Sequence, residues 1–148
     1  MRMLFSLSLI ALCALPALAA TNVIPGYGAI DAPRDTDPLT LAQSFCAARI
    51  ADDMAPFATH FAPKLAKVLE GAKEVPWQSY PDHPVSCSIK VLNGYDDTIG
   101  VLIEVTYDAG TRKWSDTLNF ERTTTSWLLN NVFYEGGGNL RFRLFSGS

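Results

Sequence analysis

Acid–base chemistry in this chain would have to rest on Asp116. From Lys113 onward the apolar residues alternate, so Trp114, Asp116, Leu118 and Phe120 share one face of a strand. That face points inward, and a carboxyl taken out of water must be hydrogen-bonded, paired or protonated. Such desolvation tunes a carboxylate upward toward a general base, here for a cofactor-free lyase, isomerase or hydrolase. The plainer reading is an aspartate that reaches water, a turn donor or a nearby arginine, and a register slip of one residue would turn it outward. The plainer reading is favoured, because no second acid or base is spaced to work with Asp116. It predicts an aspartate at least partly solvated or held by backbone donors, with neither histidine in hydrogen-bond range.

The other reactive side chains are few. His60 lies near the start of a helix and His83 in a Pro-rich loop beside Asp82, where a surface turn is its simplest role. The histidines lack the i,i+4 or short-loop spacing of zinc ligands, so no metal is expected. No G-x-S-x-G nucleophile motif is present. Gly136-Gly137-Gly138 is not followed by Lys and Ser or Thr, so it reads as a turn rather than a phosphate loop. No cofactor is implied.

The first residues give the chain an address. Arg2 is followed by an apolar run from Leu4 to Ala14, then Pro16 and the small-residue site Ala17-Leu18-Ala19. This is the pattern of a cleaved secretory signal over residues 1–20, with cleavage after Ala19 or Ala20 and a periplasmic or secreted product of a bacterium. The run is too short for a membrane anchor. Leu12 before Cys13 is not the small residue that lipid attachment requires. Cys46 and Cys87 then remain, and in an oxidising compartment an isolated pair bridges; two buried free thiols are the alternative. Neither has a C-x-x-C partner, which argues against thiol-redox chemistry.

Without the leader, eleven Lys and Arg face fifteen Asp and Glu, Arg2 being the one basic residue lost from twelve. A mildly acidic chain with scattered charge lacks the basic footprint of a nucleic-acid binder. No basic amphipathic helix suggests a membrane surface. About 129 of the 148 residues remain, enough for one domain with a real core.

The elements that must position these residues follow in order. Residues 21–37 hold Pro25-Gly26, Ala32-Pro33 and Asp37-Pro38 and read as an extended lead-in, followed by a single domain over 38–148. Asp37 before Pro38, or Thr40 to Gln43 as a capping box, opens a helix. It carries Leu41, Phe45, Cys46 and Arg49 at helical spacing until Pro56 stops it. A second helix places Phe57, Phe61, Leu65 and Val68 on one face, its regular part spanning about Ala62 to Glu70, with Gly71 as a left-handed cap. Residues 72–84 hold three prolines and make a crossing loop. From Val85 the period changes to two. Val85, Cys87, Ile89 and Val91 form one strand, and Ile99, Val101, Ile103, Val105 and Tyr107 the next, with Asn93-Gly94 and Asp96-Asp97 as the turn between. Trp114 to Phe120 and Trp127 to Tyr134 complete a meander of about four strands. Asn139 either caps a short helix with Leu140 and Leu144 or opens a fifth strand. The expected class is α+β, two or three N-terminal helices on a curved antiparallel sheet.

This order, with the helix "FAPKLAKVLEG", the Trp-bearing Pro-rich loop and the meander, resembles the nuclear transport factor 2-like superfamily of cone-shaped α+β domains. Secreted bacterial members of unassigned function are most similar. The best-matching stretch is "SWLLNNVFYEGGGNLRFRL", residues 126–144, where Trp127, Leu129, Asn131 and Val132 occupy the places of the family's final strand. The resemblance implies a cone lined by the sheet, in which enzymes of the fold often pair His with Asp. Asn131 stands where an aspartate is common, which weakens an acid–base role there. It also implies the short C-terminal helix rather than the fifth strand. The fold hosts enzymes, binders and scaffolds alike.

The aromatics Trp77, Tyr80, Trp114, Trp127, Phe133 and Tyr134 exceed what a four-strand sheet needs. Most such rings are core. Those that are not would line a cavity, with Trp77, Tyr80, Trp114, Asp116, Trp127 and Asn131 as the candidate ligand-binding set. The favoured function is non-catalytic binding of a small apolar ligand or an envelope protein. The alternatives are an enzyme using Asp116 and an inhibitor or immunity-type protein that presents the loop Val75 to Pro84.

Overall fold

The computed structural model describes residues 37–93 and 99–146. The leader, the lead-in up to residue 36, and the turn residues Gly94, Asp96 and Asp97 lie outside the described residues. Helix α1 spans Pro38–Ala51. Asp37 caps it, accepting from the backbone N–H of Leu39 at 2.9 Å and of Thr40 at 3.1 Å, and also from the Thr40 hydroxyl. The helix ends before Pro56 is reached. Asp52 turns left-handed (φ 52°) and its N–H returns to the carbonyls of Ala48 and Arg49. Pro56 instead sits in a 3-10 turn, Ala55–His60.

The regular part of the second helix lies close to its expected bounds, but the residues before it do not continue it. Phe57 is buried in the 3-10 turn, whereas Phe61 and Ala62 are extended. Helix α2 begins only at Pro63 and runs to Leu69. The cause is local. Pro63 disfavours helical backbone in the residue before it, and the extended Ala62 (ψ 147°) donates its N–H to Leu129 O at 2.8 Å. Gly71 is not the left-handed cap expected of it; Glu70 closes α2 in right-handed geometry.

Four strands follow: β1 (Ser86–Val91), β2 (Val101–Asp108), β3 (Lys113–Arg122) and β4 (Trp127–Phe133). They pair antiparallel in the order β1-β2-β3-β4, an open meander. Alternation buries Val101, Ile103, Val105 and Tyr107 on β2 and Trp114, Asp116, Leu118 and Phe120 on β3, all on the face that the helices cover. Helix α1 lies on β1 and β2, and α2 on β4. Two predicted strand positions fall outside this pattern. Val85 and Ile99 are exposed and precede β1 and β2.

A bulge interrupts the β3–β4 pairing. Asn119 faces Asn131, but Phe120 faces Leu129, leaving Asn130 as the extra residue. The chain then turns through Gly136, Gly137 and Gly138, all at positive φ, a run that side-chain-bearing residues would resist. It ends in helix α3, Leu140–Ser146, which decides the tail in favour of a helix. Asn139 caps it through Phe142 N at 3.0 Å, and Leu140 is fully buried. Cys46 on α1 and Cys87 on β1 form a disulfide, with Cα atoms 6.3 Å apart. Among the described residues no helix is long and apolar enough to cross a membrane.

Candidate functional site

The strand alternation holds at Asp116: its side chain points inward and is only 1% exposed. It is not partly solvated. Three donors from two distant segments converge on it. Ser79, in the Pro-rich loop, gives its backbone N–H at 2.9 Å and its hydroxyl, and Glu135, just past β4, gives its backbone N–H at 3.0 Å. The Ser79 hydroxyl oxygen in turn accepts from Glu135 N at 2.8 Å. Burial raises the Asp116 pKa, while the bonds from Ser79 and Glu135 pull it back. The hydrogen-bond partners of Asp116 among the described residues are these two, and neither histidine is one of them. His60 packs on Phe57 at 5.3 Å, and His83 is exposed in the loop.

The carboxylate is therefore a clasp that holds the Pro-rich loop against the sheet. Further contacts fasten the same loop. Gln78, buried, donates to the carbonyls of Tyr80 (2.9 Å) and Asp82 (2.6 Å) and accepts from Arg49 at 3.2 Å. The Tyr134 hydroxyl donates to Pro76 O, and Asp82 pairs with Arg112 at 3.5 Å. Arg112 also lies 4.5 Å over the Tyr80 ring, which meets Trp114 edge-on at 5.9 Å. Trp114 stacks on Tyr107 at 5.2 Å, and burial pushes the Tyr107 hydroxyl far above its ordinary pKa.

Fastened in this way, the loop forms one wall of a groove of about 1240 Å3. The ends of α2 and α3, with Arg49 of α1, form the rest. Val68, Val75, Trp77, Tyr80, Leu144 and Phe145 supply its apolar surface. Trp77 is held in place by stacking on Phe61 (5.3 Å, 15° between planes) and by an edge contact with Phe45 at 6.2 Å. Arg49, Lys67, Lys73 and Arg143 stand around the same groove, with Glu74 as its acid.

The candidate set thus divides. Trp77 and Tyr80 line the groove. Trp114 and Asp116 lie buried behind the loop wall. Trp127 is buried at the other end of β3, opposite Arg122, whose guanidinium lies 5.8 Å over its ring. Asn131 belongs to the bulge, where its side-chain oxygen accepts from Val132 N at 3.0 Å and Arg141 N at 3.2 Å and so ties α3 to β4. Sequence reasoning missed Ser79, Gln78 and the basic residues of the groove. A serine in a Pro-rich loop or a surface lysine carries no periodic signal. Among the described residues no cluster of His, Cys, Asp and Glu could hold a metal ion. The chain matches no family model, no curated protein and no solved structure.

Proposed function

We propose that this chain is a non-catalytic binding protein, exported through its N-terminal signal, that holds a small apolar ligand in the groove beside Trp77. The resemblance to nuclear transport factor 2-like domains belongs to the same proposal, with the difference that the ligand sits beside the Pro-rich loop. One observation carries the reading: a Trp fixed by stacking forms part of an apolar wall that the core does not use up. The enzyme alternative is less well supported, because Asp116 is buried and its oxygens accept from Ser79 and Glu135, with no histidine among its partners. The inhibitor alternative needs the loop Val75 to Pro84 as a probe, and that loop is bonded down at Pro76, Gln78, Ser79 and Asp82. The test is a titration with the neutral apolar dye Nile red. Saturable one-site binding is expected, weakened about tenfold or more by Val75→Asp, which puts a charge on the apolar wall. A folded protein that gives no saturable signal would refute the proposal.

A further inference from the structure

Resting on that binding reading, we infer that the groove selects a single-chain amphipathic anion, an acyl chain ending in a carboxylate or comparable head. The chain lies along Val75, Trp77 and Leu144, and the head meets Lys67, Lys73 and Arg143.

The charge distribution carries this. The whole chain is net negative at −3, yet four basic residues and one acid surround the groove. They arrive from separate elements: Arg49 from α1, Lys67 from α2, Lys73 from the loop and Arg143 from α3. Arg49, Lys67 and Arg143 each stand in the last turn of their own helix, where a cation is favoured, so it is the docking of three helix ends that gathers them on one groove with Lys73 of the loop. Arg49 is committed within the protein, to Gln78 at 3.2 Å and Asp52 at 3.4 Å. Arg143 lies 4.2 Å over the Tyr134 ring, a contact that orients the guanidinium without neutralising it. Lys67 and Lys73 form no ion pair among the described residues, and both are exposed. Like charges brought together repel, and an anion bound between them relieves that repulsion.

The apolar wall narrows the class. A small inorganic anion would leave Val75, Trp77 and Leu144 unused, and a neutral oil would leave the cations unused. A ligand with both an anionic head and an apolar chain uses both. The source is a monomer in solution rather than a bilayer, because the net negative chain is repelled by an anionic membrane surface.

The test uses the disulfide-intact protein and three probes with the same chain, below their micelle concentrations: dodecanoate, 1-dodecanol and dodecyltrimethylammonium. Dodecanoate is expected to bind about tenfold more tightly than dodecanol, with the cation weakest. Raising the salt should close the gap, since the head-group contacts are exposed to solvent. The double variant Lys67→Glu with Lys73→Glu should also close it. Equal binding of dodecanoate and dodecanol would overturn the anionic assignment and leave the binding reading standing. So would tighter binding of the cation. Capture on phosphatidylglycerol vesicles without binding of monomeric dodecanoate would overturn the assignment to a free amphiphile. Failure of all three probes together with Nile red would overturn the binding reading itself.

Discussion

Replacing Asp116 separates a structural clasp from a catalytic base. In Asp116→Ala the Ser79 N–H loses its acceptor, while Glu135 N keeps the Ser79 hydroxyl oxygen at 2.8 Å. One buried donor left without a partner costs about 1–3 kcal/mol, and the lost bonds to a charged group add to it. Relief of the buried charge offsets part of this, so the expected net loss is about 3 kcal/mol. The Asp116→Asn variant should fare better. Its side-chain oxygen can still serve the Ser79 hydroxyl and Glu135 N, but its amide then faces the Ser79 N–H, donor against donor. About 1 kcal/mol is expected for Asp116→Asn at neutral pH. The pH dependence has a definite sign. Burial raises the folded pKa of Asp116 above its ordinary 3.8, so its contribution is fully present below that value. It is lost as pH rises through the raised folded value. The deficit of Asp116→Asn against wild type should therefore be largest near pH 4 and shrink toward neutrality. Urea unfolding at several pH values, with the disulfide intact, measures both variants. A double-mutant cycle with Ser79→Ala should return a coupling of about 1–2 kcal/mol. A coupling near zero would refute the clasp, and a deficit that grows with pH would show that the hydrogen bonds outweigh burial.

Two further outcomes are expected. Cys46 and Cys87 are 41 residues apart, and removing their bridge by paired Cys→Ala replacement should lower unfolding free energy by up to about 4 kcal/mol. Alkylation of the non-reduced protein should label neither cysteine; two labelled thiols would refute the bridge. Gly100 (φ +71°) lies where an added Cβ would come within 2.1 Å of Phe120 O, whereas Gly110 (φ +83°) has nothing within 4 Å. Gly100→Ala should therefore cost about 3 kcal/mol or more and Gly110→Ala about 1–2 kcal/mol, both read by urea unfolding. Equal losses would show that backbone conformation alone, without the contact, governs Gly100.

What was legible in the sequence is what neighbouring residues decide among themselves. The Asp37 cap, the strand alternation that turned Asp116 inward with Trp114, and the inward placement of Cys46 and Cys87 all follow from capping chemistry and a period of two or 3.6. The same short-range rules set where the regular part of the second helix starts. Pro63 keeps Ala62 extended, and Leu129, far along the chain, accepts the N–H that this leaves outside the helix. The α+β class, with helices first and a meander after, was visible because each element's pattern names its own type. The donors on Asp116 were not visible: Ser79 lies 37 residues away and Glu135 lies 19 away. Nor was the meeting of Lys67, Lys73 and Arg143, since exposed lysines and arginines have no preferred spacing. Tertiary structure alone decided which loop covers the sheet and which charges share a groove. Those contacts depend on how whole faces dock, and docking is set by long-range burial rather than by any residue's immediate neighbours.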